Sequence, residues 1–247
     1  MSQEPAGAPP PHLLEVDSLS AGYGALQVLW GISLSVRQGE FVALVGANGA
    51  GKTAVLRAIA GLIPPVSGAI RFRGKPTLTL KTHQLCRRGL ALVSETLNLF
   101  PLMSVRENLL LGAYGDYDRD QIGARLDFAF DFFPVLKERL RQPAGTLSGG
   151  EQRMLGLARA FVAHPLLLLV DEPSRGLSPN LVNQMFAALE RLNRRGVAVL
   201  LVEQNIQQSL RVAGRGYVLE QGRMVMEGSG SDLLNSEKVR RSYLGLG

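Results

Sequence analysis

Phe41-Val42-Ala43-Leu44-Val45-Gly46-Ala47-Asn48-Gly49-Ala50-Gly51-Lys52-Thr53 is the stretch on which the fold turns. Five apolar residues in a row, rich in strand formers, predict a buried strand. A glycine-rich loop follows. From Lys52 onward the apolar residues Val55, Leu56 and Ile59 recur at helical spacing, and Gly61 is the expected stop. The order is therefore strand, glycine loop, helix. Glycines let the main chain curl so that successive N–H groups point into one concavity suited to an anion. The helix beginning near Gly51 adds its positive end. Gly46 to Thr53 fits the pattern G-x-x-x-x-G-K-[ST]. In that pattern Lys52 supplies a compact charge to the β- and γ-phosphates, and the Thr53 hydroxyl is a hard oxygen ligand for Mg2+.

Working outward, alternation predicts strands at 13–18 and 29–36, with a turn at Gln38-Gly39-Glu40. Towards the other end the expected order is a buried strand at 166–170, a helix at 180–194, a strand at 197–202 and a helix at 206–213. A hairpin of 216–220 and 223–227 turns at Gln221-Gly222. Buried strands alternating with helices imply an α/β fold with a parallel sheet. The middle of the chain, from about 85, is mostly helical in pattern and reads as a separate lobe. Residues 1–12, with Pro5, Pro9, Pro10 and Pro11, are expected to form a flexible tail.

Composition narrows the function classes. The chain has 247 residues and a net charge of +6. Only five of its 27 cations are lysine, and no block of five or six cations occurs. The basic excess suits a nucleic acid or an anionic membrane surface, or reflects only a composition rich in arginine. No nucleic-acid partner is expected from a chain of this length without an internal repeat. Pro165 to Val170 is far shorter than the roughly 20 apolar residues of a membrane-spanning helix. The single cysteine, Cys86, excludes an internal disulfide, and no secretory signal is expected at the N-terminus.

Two further motifs carry chemistry. The strand at 166–170 runs into Asp171-Glu172-Pro173. Two carboxylates at a buried strand end call for a cationic partner, and a Mg2+-nucleotide is one. Asp171 is placed to hold the metal, and Glu172 to orient or deprotonate a water. Leu147-Ser148-Gly149-Gly150-Glu151-Gln152 opens a helical run. Ser148 with Glu151 makes a capping box, but capping alone does not explain the paired Gly149 and Gly150, which make a second anion site.

With these three motifs in this order, the chain from 13 to 247 resembles the ATP-binding-cassette ATPases, whose signature motif is the string from Leu147 to Gln152. The resemblance implies a P-loop NTPase (RecA-like) α/β core, an antiparallel β subdomain and a helical signature-motif lobe over about 85–162. It implies two cassettes, of the same or a related chain, paired head to tail. ATP then lies between Gly46, Ala47, Asn48, Gly49, Ala50, Gly51, Lys52, Thr53 and Ala54 of one chain and Ser148, Gly149 and Gly150 of the other. By resemblance Tyr23 stacks on adenine, and Gln204 stands where most cassettes have a histidine that contacts the γ-phosphate. Glu95 replaces a glutamine that touches Mg2+, and Glu172 is the catalytic base alongside Lys52. Ser174 to Pro179 matches a loop that crosses the dimer interface.

Phe132-Phe133-Pro134 and Leu201-Val202-Glu203-Gln204-Asn205 look like the branch that supplies the smaller ATPase of bacterial branched-chain amino-acid importers. Importers of urea and short-chain amides share most of these residues. That branch works at the cytoplasmic face of the inner membrane, on transmembrane permease subunits and indirectly with a periplasmic solute-binding protein. Two departures stand out: Ala54 where a second threonine touches the α-phosphate, and Ser94-Glu95-Thr96-Leu97-Asn98 where the branch has Pro-Glu-Gly-Arg. A soluble non-transport ATPase and a non-hydrolysing subunit are the competing readings.

Overall fold

A computed structural model gives the fold, with residues 12–114 and 121–243 described. The chain opens with β1 (His12–Tyr23), β2 (Leu26–Arg37), β3 (Phe41–Val45), α1 (Lys52–Ile59), β4 (Pro65–Phe72) and β5 (Lys75–Pro76). The middle holds α2 (Thr82–Arg87), β6 (Leu90–Val93), α3 (Val105–Leu111), α4 (Ile122–Phe132), α5 (Val135–Glu138) and α6 (Gly149–Val162). It closes with β7 (Leu167–Asp171), α7 (Pro179–Arg194), β8 (Ala198–Glu203), α8 (Ile206–Val212), β9 (Arg215–Glu220), β10 (Arg223–Ser229), α9 (Gly230–Asn235) and α10 (Glu237–Tyr243).

The strands form two sheets. One has six strands in the order β10-β9-β3-β8-β7-β6, parallel except for the β9–β10 hairpin. The other is an antiparallel sheet in the order β2-β1-β4-β5. Strand periodicity explains why β3, β7 and β8 are continuous apolar runs: both faces of the six-stranded sheet are covered. Phe41, Ala43 and Val45 pack with Leu168, Val170, Val199 and Leu201 against the helices of one face. Val42 and Leu44 pack with Leu167, Leu169, Leu200 and Val202 against α1 and the antiparallel sheet. Each leucine so buried contributes about 1.5–3 kcal/mol of transfer free energy.

The helical middle joins the first of these clusters. Phe132 and Phe133 of the α4 end surround Phe161 of α6, with the Phe132 and Phe161 rings 4.9 Å apart and edge to face. Arg191 of α7 and Arg195 just past its end lie over the Phe132 ring at 4.7 and 4.9 Å, so cation–π contacts help tie the middle to the core. Among the described residues no helix is long and apolar enough to cross a membrane.

The structure departs from the sequence reading in several places. β5, α9 and α10 have no counterpart there. The stretch at 85–162 contains β6, which pairs with β7 in the six-stranded sheet. Four residues are too few for a periodicity to declare itself. β4 has no counterpart in the reading because Pro65 and Gly68 interrupt its pattern, and only Ile70 and Phe72 turn fully inward. Of the expected tail, residues 1–11 lie outside the described residues and His12 opens β1.

Candidate functional site

The site is built at the carboxyl ends of β3, β7 and β8. Gly46 leaves β3 so close to β9 that a Cβ there would lie 2.2 Å from the Leu219 carbonyl oxygen, so only glycine fits. The loop closes with Ala50 N–H donating to the Ala47 carbonyl at 3.2 Å. Gly51, at φ 106°, caps α1 in the left-handed region that glycine adopts at no steric cost. Gly222, at the turn of the β9–β10 hairpin, donates to the Ala50 carbonyl and accepts from Trp30 N–H, both at 2.8 Å.

Lys52 is buried and folds back over this loop. Its Nζ donates to the carbonyls of Gly46 at 2.9 Å and Ala47 at 3.0 Å, and lies 3.5 Å from Glu172 Oε1. The Thr53 hydroxyl donates to Asp171 Oδ1 at 3.1 Å. Burial pushes the Asp171 carboxyl up to about 6; the Thr53 hydrogen bond opposes this, and the charges of Glu172 and Glu95 add to it. A buried carboxylate held uncomfortably among other acids, beside a hydroxyl, fits a hard divalent cation. Among the described residues no group of three or more His, Cys, Asp or Glu could hold a metal.

Glu172 has φ 45°, an uncommon region for a side-chain-bearing residue. Its N–H donates to Val202 O at 2.9 Å, and its carbonyl accepts from Arg153 at 3.4 Å. Glu172, Ser174, Arg175, Glu203, Gln204 and Asn205 line a recess of about 290 Å3. Glu203 is a residue whose individual part the sequence did not reveal. Its buried carboxylate accepts from the N–H groups of Ser174 at 2.9 Å and Gln204 at 3.0 Å, joining two loops at the site. Nothing in its spacing marks it, because the groups it holds are 29 residues away and next door.

The remaining expected residues fall as follows. Tyr23 ends β1 half-exposed, and its hydroxyl accepts from Arg57 of α1 at 3.3 Å. Ala54 is buried among the apolar residues beneath α1. Glu95 pairs with Arg175 rather than with Thr53 or Asp171. Ser148 caps α6: its hydroxyl oxygen accepts from Glu151 N–H at 3.3 Å, and Glu151 Oε2 accepts from Ser148 N–H at 2.9 Å. Among the described residues no hydrogen bond or ion pair joins Ser148, Gly149 or Gly150 to Gly46–Thr53. The structure thus brings Lys52, Thr53, Asp171 and Glu172 together.

A second, larger concavity of about 790 Å3 lies between the six-stranded sheet and the helical middle. Arg73, Arg87, Arg88, Arg125 and Arg159 line it with Leu97, and no acidic side chain does so among the described residues.

Comparison with known proteins agrees with this geometry. A family model described as ABC transporter matches residues 29–175. The high-affinity branched-chain amino acid transport ATP-binding protein BraG of Pseudomonas aeruginosa is 45% identical, over 94% of this chain and 100% of its own. The probable branched-chain amino acid transport ATP-binding protein LivF of Archaeoglobus fulgidus is 35% identical, over 95% and 99%. A solved ATP-binding subunit of an ABC transporter superposes with a TM-score of 0.82 at 30% identity, over 94% of this chain and 96% of that one. With a matched family model spanning more than half its length and relatives covered end to end, the chain belongs to the ABC transporter family, as one of its ATPases.

Proposed function

We propose that the chain hydrolyses ATP to drive a membrane importer of branched-chain amino acids. The observation that carries this reading is the convergence of Lys52, Thr53, Asp171 and Glu172 around one glycine loop. The full-length 45% identity to BraG supports the solute class.

In this reading the loop amides from Gly46 to Thr53 and the Lys52 ammonium hold the β- and γ-phosphates, and Tyr23 stacks on adenine. Thr53 and Asp171 would hold Mg2+, with Glu95 close by; the ion when bound neutralises phosphate charge. Glu172 orients the attacking water and takes its proton. Gln204, in the same recess as Glu172, reaches towards the γ-phosphate. Ser148, Gly149 and Gly150 complete the γ-phosphate contacts from a second chain, of the same or a related sequence, set head to tail. ATP held between both chains favours the closed pair, and its hydrolysis removes that bias. In this reading the arginine-lined concavity beside α6 receives the permease, and the chain works at the cytoplasmic face of the membrane. A periplasmic solute-binding protein selects the solute upstream.

Glu172→Gln tests this directly. Steady-state turnover is expected to fall by about 100-fold or more, the contribution of a general base. Size-exclusion chromatography with ATP is expected to show a trapped pair. Wild-type turnover in that variant overturns the assignment. Reconstitution with its permease and binding protein, followed by leucine against urea uptake, tests the solute.

A further inference from the structure

Arg175 has no part in the chemistry described so far, yet it sits among the charges at the site. Its Nη1 bonds Glu95 Oε1 and lies 3.6 Å from Glu172 Oε2. The other Glu172 oxygen faces Lys52. Each oxygen of Glu172 is thus held by a different cation. Phosphate competes for the Lys52 ammonium once nucleotide binds, whereas Arg175 lies on the opposite side of the carboxylate. The Arg175 side chain is 59% exposed against 9% for Glu172, so the pair adds little to stability. What the bridge supplies is direction.

The far end of the bridge is anchored as well. Glu95 lies in a tight loop in which Leu97 and Asn98 both have positive φ, and Asn98 Nδ2 donates to Ser94 Oγ at 2.9 Å. Arg159 of α6 donates to the Asn98 carbonyl at 2.8 Å and to the Leu97 carbonyl at 2.5 Å. Leu97 packs on Gly156 of α6, where a Cβ would come within 3.1 Å of it. One chain of contacts therefore runs from α6, through the 94–98 loop and Glu95, to Arg175 and Glu172. Leu97 and Arg159 also line the large concavity, so a partner seated there touches the start of that chain.

We propose that Arg175 is a positioning residue that holds Glu172 in its hydrolytic orientation only while the 94–98 loop keeps Glu95 within reach. The inference rests on the reading of Glu172 as the water-activating carboxylate.

The test uses the full chain with Arg175→Ala, Arg175→Lys, Glu95→Gln, the Arg175→Ala/Glu95→Gln double variant and Glu172→Gln. For each, kcat, KM for ATP, equilibrium affinity for a fluorescent ATP analogue and melting temperature are measured. Arg175→Ala is expected to lower kcat about 10-fold, leaving KM, affinity and melting temperature close to wild type. Arg175→Lys is expected to recover part of that loss. Glu95→Gln is expected to lower kcat by a smaller factor alone and to add nothing to Arg175→Ala, because the two act through one bridge. Wild-type kcat in Arg175→Ala overturns the proposal. So do multiplicative effects in the double variant, or a loss of kcat matched by a loss of affinity or melting temperature. If Glu172→Gln abolishes turnover while Arg175→Ala keeps wild-type kcat, the bridge alone fails. If Glu172→Gln retains turnover, the underlying reading fails with it.

Discussion

Asp171 shows how a single side chain can be costly to the fold and suited to a ligand. Its carboxyl titrates at about 6 in the folded chain against 3.8 ordinarily, chiefly because it is buried. A raised acid pKa means that the unfolded chain ionises first. Stability from this group is therefore present below about pH 4, lost as pH rises to about 6, and absent above it. Asp171→Asn keeps an acceptor for Thr53 and removes the charge. Without divalent cation at pH 7 this variant is expected to melt a few degrees higher than wild type, the gap closing towards pH 4. If Asp171 holds Mg2+ as proposed, the variant is also expected to gain less stability than wild type when Mg2+-nucleotide is added. Calorimetry across pH, with and without the ligand, checks both. The meeting of Thr53 with Asp171 was legible in the sequence, because each sits at a fixed offset from a buried strand end. The Glu95–Arg175–Glu172 bridge was not: its partners are 80 and 3 residues apart, and no periodicity relates them.

At the scale of elements, the α6 N-terminus separates capping from ligand contact. Ser148 and Glu151 satisfy each other, as the motif led one to expect. The two glycines differ. A Cβ on Gly150 would come within 2.5 Å of Leu181 Cδ1, the movable end of a side chain, whereas a Cβ on Gly149 would meet nothing within 4 Å. Gly149→Ala is thus expected to leave the melting temperature within about 1 °C, as alanine is the better helix former. Turnover is expected to fall several-fold if the bare N–H faces a partner's phosphate. A variant unchanged in both respects removes Gly149 from the site. Elements were legible where burial on both faces or a glycine stop marked them: β3 and α1 begin where the pattern puts them. β6 and β4 escaped, the first for its brevity and the second for its proline and glycine. Both owe their strand form to neighbours far away in the chain.

For the whole molecule, one ion-pair network joins the two sheets. Arg215 of β9 grips Glu40 in a two-pronged pair at 2.8 and 2.9 Å, bonds Glu227 of β10 at 2.7 Å, and donates to the Ser35 carbonyl of β2 at 2.8 Å. Burial alone would raise the Glu40 carboxyl, but Arg215 and the Arg37 N–H outweigh it and hold the group below its usual 4.5. A lowered acid pKa stabilises above the unfolded value and is lost as pH falls through the folded one. The urea midpoint is therefore expected to drop below about pH 4.5, and Glu40→Gln is expected to flatten part of that drop. A midpoint profile that this variant leaves unaltered would sink the assignment. The residue pair is 175 positions apart, so only the completed sheet reveals it.

The hairpin turn at Gly222, bonded on one side to Ala50 and on the other to Trp30, works as a brace between the glycine loop and the antiparallel sheet. A Cβ there would lie 2.0 Å from the Val28 carbonyl oxygen, so the brace has no slack. The cradle is stiff before any guest arrives, and little of the guest's affinity goes into ordering the host.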